Sequence, residues 1–239
     1  FKKNVKKFTA DNVAAVIEGS VFPNEYIILT AHLDHVGIQD GEIYNGADDD
    51  GSGTVAMLEI AEAFALARDQ GYQPKRSIIF LHVTAEERGL LGSQYYADYE
   101  PLAPLNQTVA NLNMDMMGRA DPERGIKNLN YIYIIGSDIL SDDLHKINMN
   151  ANNNHAFLEL DYRFNDINDP NQFYFRSDHY HFVKNNIPAI FYFSGVHEDY
   201  HQPTDTAEKI LYDIYKKRVK LIFHTAWELA NREDRIELK

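Results

Sequence analysis

The sequence predicts an α/β protein of three layers (α/β/α), in which helices cover both faces of a mostly parallel, mixed central sheet. Three observations support this prediction. Strand-like and helix-like segments alternate along the 239 residues, which is typical of a parallel sheet with helical connections. Residues 77–83 form a compact, mainly apolar run of the kind found in a buried strand. The chain length suits one sizeable core and is short for two.

The elements follow from apolar spacing, taken in chain order. Short apolar segments at residues 13–17 and 26–29 predict the first two strands. Residues 52–68 predict the first helix, because apolar residues such as Val55 and Leu58 recur there at helical spacing. The later elements are a strand at 77–83, a helix at 90–99, strands at 109–114 and 131–135, a helix at 140–150, a strand at 187–193 and a helix at 211–231.

The last predicted helix carries an apolar stripe that includes Ile214, Ile222 and Leu229. Before it, residues 151–171 are rich in Asn and Asp and show no clear period. This stretch is therefore predicted to be a surface excursion that could shape the rim of a pocket.

Composition excludes several classes of protein. The formal net charge is −13, whereas a nucleic-acid partner requires clustered Lys and Arg. The absence of cysteine excludes disulfides and thiolate metal sites, so any metal must be held by His, Asp and Glu. No apolar run reaches the ~18–20 residues of a membrane-spanning helix. The chain begins at Phe1 rather than at a methionine, so we expect an upstream segment in the native protein and a secreted or periplasmic location.

Five short polar clusters follow or border the predicted strands. They are His32-Leu-Asp34, Asp48-Asp-Asp50, Glu86-Glu87, Asp115 and His201. In open α/β sheets, ligands bind outside the carboxyl ends of the strands, so these clusters are predicted to meet at one edge of the sheet.

These residue types suit a metal centre. Zn²⁺ binds imidazole nitrogen and carboxylate oxygen, and two histidines with three carboxylates can hold two ions if one carboxylate bridges them. A further carboxylate can then take the proton of the attacking water in hydrolysis. Each cluster alone has a more ordinary explanation: Asp50 suits a helix cap, and an adjacent pair such as Glu86-Glu87 suits the start of a helix. The five clusters together, in this order and spacing, indicate a metal-dependent hydrolase.

Several motifs resemble those of the M28 family of zinc peptidases. They are Ala31-His-Leu-Asp-His35, Gly46-Ala-Asp-Asp-Asp-Gly-Ser-Gly53, Ala85-Glu-Glu-Arg-Gly-Leu-Leu-Gly-Ser93, Asn113-Met-Asp-Met-Met-Gly118, Arg176-Ser-Asp-His179, Ile187-Pro-Ala189 and Tyr200-His-Gln-Pro-Thr-Asp-Thr206. The resemblance runs from about residue 12 to the end of the chain. It implies a zinc-exopeptidase fold, one metallopeptidase catalytic domain over residues 1–239, two Zn²⁺ per chain and a peptide substrate. Members of this family usually have further structure before the first strand seen here.

The resemblance also implies a role for each motif residue. His32 and Asp115 would hold one zinc, and Glu87 and His201 would hold the other. The remaining roles are Asp49 as the bridging ligand, Glu86 as the general base, Asp34 as the acceptor for the His32 ring, and Tyr200 and Arg176 near the reacting carbonyl. The bridging position depends on the family register, because a slip of one residue would select Asp48 or Asp50.

Other histidines are expected to be ordinary surface or core residues, among them His35, while His179, His181 and His197 could line the pocket. Aminopeptidase activity is favoured over carboxypeptidase activity, because acidic residues that could hold an amine surround the motifs: Asp178, Glu198, Asp199 and Asp205. Aromatic residues could form a pocket for the first side chain: Tyr174, Phe175, Tyr192 and Phe193. Of these, Phe193 is expected chiefly in the core of its own strand.

Three other functions compete with this prediction. The first is a glutaminyl-cyclase-like enzyme with one zinc on the same fold. The second is a binding module that has lost catalysis, although all the expected ligands are present here. A calcium site is the third, but sites of hard oxygen ligands rarely recruit paired histidines.

Overall fold

The computed structural model describes residues 9–125 and 128–239. The strands are β1 (Val13–Ile17), β2 (Phe22–His32), β3 (Gly37–Gln39), β4 (Glu42–Tyr44), β5 (Arg76–Val83), β6 (Thr108–Met114), β7 (Tyr131–Ile135), β8 (Glu159–Asp161) and β9 (Ala189–Phe193). The helices are α1 (Gly51–Asp69), α2 (Leu91–Asp98), α3 (Asp142–Ala151), α4 (His179–Val183) and α5 (Tyr212–Asn231).

Seven of these strands form one mixed sheet in the order β1-β5-β2-β6-β9-β7-β8. Strands β5, β2, β6 and β9 are parallel to one another, β1 is antiparallel to β5, and β7 is antiparallel to β9. The four parallel strands therefore end at the same edge of the sheet, as the predicted fold class requires. Strands β3 and β4 form a separate two-stranded hairpin between β2 and α1.

Helices cover both faces of the sheet, which confirms the three-layer prediction. Alternate residues of β2 show the division: Ile27 and Leu29 pack with α1 and α5 in one apolar cluster, and Ile28 packs with α2 and α4 in another. A third cluster on the second face is aromatic and surrounds Phe191 and Phe193 of β9. The core thus lies in two apolar layers, one on each side of the sheet.

Helix α5 is joined to the sheet by a buried arginine. Arg218 is fully buried, and its guanidinium donates to the carbonyl of Tyr131 at 3.0 Å and to the carbonyls of Met117 and Arg119 at 2.6 Å each. Burial lowers the pKa of Arg218 to about 10, which leaves it charged at neutral pH. One side chain therefore links α5 to β7 and to the loop that follows β6.

The structure departs from the predicted elements mainly in short segments. Strand β2 extends beyond the predicted residues 26–29 and ends at His32. The predicted excursion at residues 151–171 contains a π-helical turn at Asn152–Ala156 and strand β8. Among the helices that the structure describes, none is long and apolar enough to cross a membrane.

Candidate metal centre

Four polar segments lie at the carboxyl edge of the sheet. His32 is the last residue of β2, and Asp115 directly follows β6. Glu86 and Glu87 begin a 3₁₀ turn shortly after β5, and His201 lies in the loop between β9 and α5. The parallel strands therefore bring together residues that are far apart in the sequence.

The loop before α1 contributes three aspartates, of which Asp50 has a structural role. Its Oδ1 caps α1 by accepting from the Gly53 amide at 2.9 Å, and it also accepts from the Met116 amide at 3.3 Å. Its Oδ2 accepts from the amide of His32 at 3.0 Å. Asp50 thus connects the start of α1 to the ends of β2 and β6, and both of its carboxylate oxygens accept hydrogen bonds from backbone amides.

The carboxylate of Asp48 contacts groups outside the two sets of possible metal ligands. Its carboxylate accepts from the Gly118 amide and lies 3.1 Å from Nε2 of His197. Asp205 holds the loop itself, because its Oδ2 accepts from the amides of Asp48 at 2.9 Å and Asp49 at 3.2 Å. Of the three adjacent aspartates, Asp49 is the one whose carboxylate lies between His32 and His201, at the position that the family resemblance assigns to the bridging ligand.

The carboxylate of Asp49 lies between two sets of possible metal ligands. In the first donor group, His32 Nε2 is 3.2 Å from Asp49 Oδ1 and 3.8 Å from Asp115 Oδ1. In the second donor group, His201 Nε2 is 3.1 Å from Asp49 Oδ2 and 3.0 Å from Glu87 Oε1. Ligands held at ~2.0–2.2 Å by one tetrahedral ion lie about 3.3–3.6 Å apart, so both groups have suitable spacing.

Glu86 stands beside the first donor group. Its Oε2 is 3.9 Å from Nε2 of His32, and a carboxylate oxygen of Asp115 is close to both. Glu86 also lines the adjoining pocket, so its carboxylate faces both the donors and the space where a substrate would lie.

Asp34 contacts the site in a different way from the predicted one. The nearest acceptor to Nδ1 of His32 is the backbone carbonyl of Asp34 at 2.9 Å, whereas the Asp34 carboxylate is 3.8 Å away. That carboxylate instead accepts from the amides of Glu86 at 3.0 Å and Glu87 at 3.3 Å. Asp34 therefore positions both the histidine ring and the glutamate turn.

Some buried polar atoms of the site have no hydrogen-bond partner, which indicates whether these residues fit a cation. Such atoms are rare in folded proteins and require an explanation. Among the described residues, several of them fall together in the two donor groups: His32 Nε2, Asp49 Oδ2 and Glu87 Oε1. All three are typical zinc ligands, so the residues present fit zinc.

The pKa values of the clustered side chains also favour a bound cation. Burial would raise the pKa of Asp49, but contacts with His201 and His32 outweigh it and hold that pKa well below its usual range. Burial would lower the pKa of His32, but Asp115 and Asp49 outweigh it and raise that pKa above its usual range. Burial, reinforced by the charge of Asp115, raises the pKa of Glu86 to about 9. Carboxylates this crowded are stabilised by nearby positive charge.

A buried chain of hydrogen bonds supports Asp115 from within the sheet. The Ser177 hydroxyl donates to Asp115 Oδ2 at 2.7 Å and accepts from the Asn113 amide at 2.8 Å. The side-chain oxygen of Asn113 (Oδ1) in turn accepts from the hydroxyl of Thr30 at 2.6 Å. This chain fixes one carboxylate oxygen of Asp115 and leaves the other facing His32.

A pocket opens next to the donors and has one apolar wall. The wall consists of Met116, Phe173, Phe191, Phe193 and Val196. Of the aromatic residues predicted to line a pocket, Phe193 does so. Tyr192 faces the opposite side of the sheet, where its hydroxyl donates to Asn148 at 2.8 Å. Tyr174 and Phe175 belong to the aromatic cluster around the wall.

Arg176 and Tyr200 also line this pocket, as their predicted roles require. The guanidinium of Arg176 lies 5.0 Å from the centre of the Phe173 ring. The ring of Tyr200 stacks on His201 with centroids 3.9 Å apart. Burial raises the pKa of Tyr200 to about 12, so its phenol stays protonated at neutral pH and can donate a hydrogen bond.

The four acidic residues predicted to surround the pocket do not line it. Asp178 is completely buried, and Asp205 binds the backbone of the aspartate loop. Asp199 and Glu198 lie 3.0 Å and 3.5 Å from the guanidinium of Arg119. The acidic groups that line the pocket belong to the donor cluster itself.

The histidines are also placed differently from the prediction. His179 is buried and stacks on Phe191 at 4.9 Å, and His197 is paired with Asp48, so neither lines the pocket. His35, predicted to be an ordinary residue, instead lies in the second donor group. The sequence feature that points to this placement is the position of His35, three residues after His32 in the same motif.

The fold and the site together define a three-layer α/β protein with a cluster of histidines and carboxylates, of the kind that can hold a metal, at the carboxyl edge of its sheet. The chain belongs to Peptidase family M28, which matches residues 12–226.

Proteins similar to this chain carry peptidase names. An Arabidopsis thaliana protein named "Probable glutamate carboxypeptidase LAMP1" is 36% identical over 44% of this chain and 14% of its own length. A Mus musculus protein named "Aminopeptidase NAALADL1" is 38% identical over 45% of this chain and 14% of its own length. A zinc aminopeptidase from Bacillus subtilis has the same fold, with a TM-score of 0.74, 24% identity, and coverage of 95% of this chain and 52% of that one. The matches therefore span only part of each of these longer proteins.

Proposed function

We propose that this chain is the catalytic part of a zinc aminopeptidase that uses two Zn²⁺ ions and removes apolar residues from the amino end of peptides. One observation carries the proposal: the Asp49 carboxylate lies between two groups of zinc-type donors, with Glu86 beside them and a pocket adjoining. In this assignment His32 and Asp115 hold one ion, and Glu87 and His201 hold the other.

The side chains around the pocket have distinct roles in peptide hydrolysis. When bound, the zinc ions would supply Lewis acidity toward the peptide carbonyl and would make water easier to deprotonate. Glu86 would take the proton of the attacking water and pass it to the leaving amine. Its pKa of about 9 without metal would fall beside two cations, and so it would be ionised at neutral pH. Tyr200 would donate a hydrogen bond to the carbonyl oxygen.

The pocket supports cleavage after an apolar first residue. Its wall of aromatic and aliphatic side chains carries no charge, whereas the donor cluster beside it is acidic and Arg176 also lines the pocket. An α-ammonium group would be attracted to those carboxylates while the first side chain enters the apolar wall. Leucine or phenylalanine at the amino end should therefore be preferred to lysine or glutamate.

A carboxypeptidase is the second candidate, and Arg176 is the observation that favours it. Its exposed guanidinium lines the pocket and could bind the carboxylate of a substrate. The single-zinc cyclase alternative is less well supported, because both donor groups here are complete.

Four substrates separate these functions: an apolar amino-acid anilide, its N-acetylated form, a dipeptide and its C-amidated form. Loss of cleavage on acetylation, with amidation tolerated, is the result expected of an aminopeptidase. Loss on amidation with acetylation tolerated would assign the chain to the carboxypeptidases. Metal analysis of the purified protein, with two zinc ions expected and one required by the cyclase alternative, completes the test. The secreted or periplasmic location stays a prediction, which fractionation of the native cells would test.

A further inference from the structure

A third histidine contacts the second donor group. Nδ1 of His35 is 3.1 Å from Oε1 of Glu87 and 3.9 Å from Oδ2 of Asp49. The same two oxygens face Nε2 of His201, at 3.0 Å and 3.1 Å. One imidazole nitrogen from each histidine thus lies within 3.9 Å of the same two carboxylate oxygens.

The nitrogens of His35 behave like those of the other donors. Its side chain is only 10% exposed, and neither ring nitrogen has a hydrogen-bond partner. The 3.1 Å contact with Glu87 does not have the geometry of a hydrogen bond, although an imidazole that merely oriented this carboxylate would donate to it. His35 therefore shares the property that marks His32 Nε2 and Glu87 Oε1 as cation ligands.

The backbone next to His35 leaves room for its ring in this position. Gly46 has a φ of +63°, and a Cβ at this glycine would lie 2.5 Å from Cγ of His35. Any other residue at position 46 would displace the ring or the loop. The ring of His35 is therefore seated in a space that exists because residue 46 is glycine.

We propose that His35 is a fourth protein ligand of the metal position formed by Asp49, Glu87 and His201. This inference rests on the proposed two-zinc function and concerns a difference between the two positions. The second position would have four protein donors, the number found in closed, tightly held zinc sites, while the first has His32, Asp115 and the shared Asp49. The first position would then keep the open coordination that reaction requires, next to Glu86.

The test is a zinc titration against a chromophoric chelator, with His35→Phe as the principal variant. Phenylalanine keeps a ring beside Gly46 and removes both nitrogens. His35→Ala serves as a second variant, and His155→Phe, an exposed histidine outside the donor groups, serves as the matched control. Thermal unfolding of the metal-free proteins checks that each variant is folded. The visible spectrum of protein loaded with one equivalent of Co²⁺ reports the coordination number independently of activity.

We expect wild type and His155→Phe to bind two zinc ions, one more tightly than the other. In His35→Phe and His35→Ala the tighter step should weaken by more than the ~10–100-fold that loss of an outer-shell partner causes. The cobalt spectrum should lose the intensity typical of four-coordination. Weakening below 100-fold with an unchanged cobalt spectrum would overturn direct ligation. If wild type itself bound fewer than two ions, the proposed two-zinc function would fail, while the effect of His35 on the remaining ion would still be measured.

Discussion

At the scale of single residues, each polar group of the site has a different partner, and those partners decide its role. Three consecutive aspartates show this most clearly: Asp50 caps α1, Asp48 binds the loop after β6, and Asp49 faces the histidines. The two adjacent glutamates also have different partners: Glu87 contacts His201, whereas Glu86 faces the pocket.

Glu86→Ala tests whether Glu86 is the general base and Glu87 the metal ligand. We expect turnover to fall by about 10²–10⁴-fold, the usual contribution of a general base, while zinc content stays at the wild-type value. Steady-state kinetics and metal analysis of the same samples provide the measurement. Glu87→Ala is the matched control and should lose zinc. Loss of zinc from the Glu86 variant alone would reverse the two assignments.

The structure brings together most of the site residues that the sequence predicts, but the sequence does not predict all of the contacts among them. Residue types and spacing were enough to select His32, Asp115 and His201, because parallel strands bring their carboxyl ends together. The contact of His35 with Glu87 could not be predicted, since it depends on how the β3–β4 hairpin and Gly46 place one ring. Side-chain direction within a loop is a tertiary property that periodicity does not contain.

At the scale of elements, the long segments were predicted well and the short ones were not. Six strands of the central sheet and the four longer helices correspond to predicted segments. The structure adds β3, β4, β8 and α4, each of three to five residues. Segments this short hold too few residues to show a period, and tertiary contacts determine their conformation.

Arg218→Met tests the link between α5 and the sheet. The substitution removes the donor to three buried carbonyls, and each unsatisfied group costs about 1–3 kcal/mol. We therefore expect the free energy of unfolding to fall by at least about 2 kcal/mol in urea titrations. Lys216→Met, at an exposed position of the same helix, is the control and should change stability little. Equal stability of the two variants would contradict the role of Arg218.

The contact between α5 and the π-helical turn predicts sensitivity to acid. His224 stacks on His155 with ring centroids 3.5 Å apart, and burial, reinforced by His155 and Lys220, lowers the pKa of His224 to about 4. The unfolded chain, with an ordinary histidine pKa near ~6.5, takes up a proton earlier as pH falls. Stability from this group is thus present above pH ~6.5 and is lost as pH falls toward about 4.

His224→Phe should reduce this acid sensitivity, because phenylalanine keeps a flat ring and cannot be protonated. The measurement is the thermal unfolding midpoint of wild type and variant at pH 7 and pH 5. We expect a smaller decrease in the variant. An identical decrease in both proteins would show that His224 does not contribute.

At the scale of the whole molecule, the candidate metal centre draws residues from the ends of four strands and from the loop before α1, so metal binding should stabilise the entire sheet. Zinc at 100 times its dissociation constant contributes about 2.7 kcal/mol per site. For a chain of this size that corresponds to a rise of roughly 5–10 °C in the unfolding midpoint. Differential scanning calorimetry with zinc and with excess chelator is the measurement. Equal midpoints under both conditions would contradict a bound ion.

The negative charge of the molecule should also affect substrate capture. With a net charge of −13, the protein attracts cationic peptides over a Debye length of about 10 Å at 0.1 M salt. The kcat/KM for Leu-Lys should therefore fall more steeply with added NaCl than that for Leu-Glu. A salt dependence that is the same for both dipeptides would indicate that long-range attraction does not influence capture.

The wide separation of the donors along the chain has a consequence for biosynthesis. The groups run from His32 to His201, and α5, which holds the loop after β6 through Arg218, is still later in the chain. A ribosome that has not yet reached the codon for His201 carries a nascent chain that cannot complete the second donor group. The candidate metal centre can therefore be assembled only after most of this region has been translated, so zinc is expected to bind to it after synthesis of the sheet and not during it.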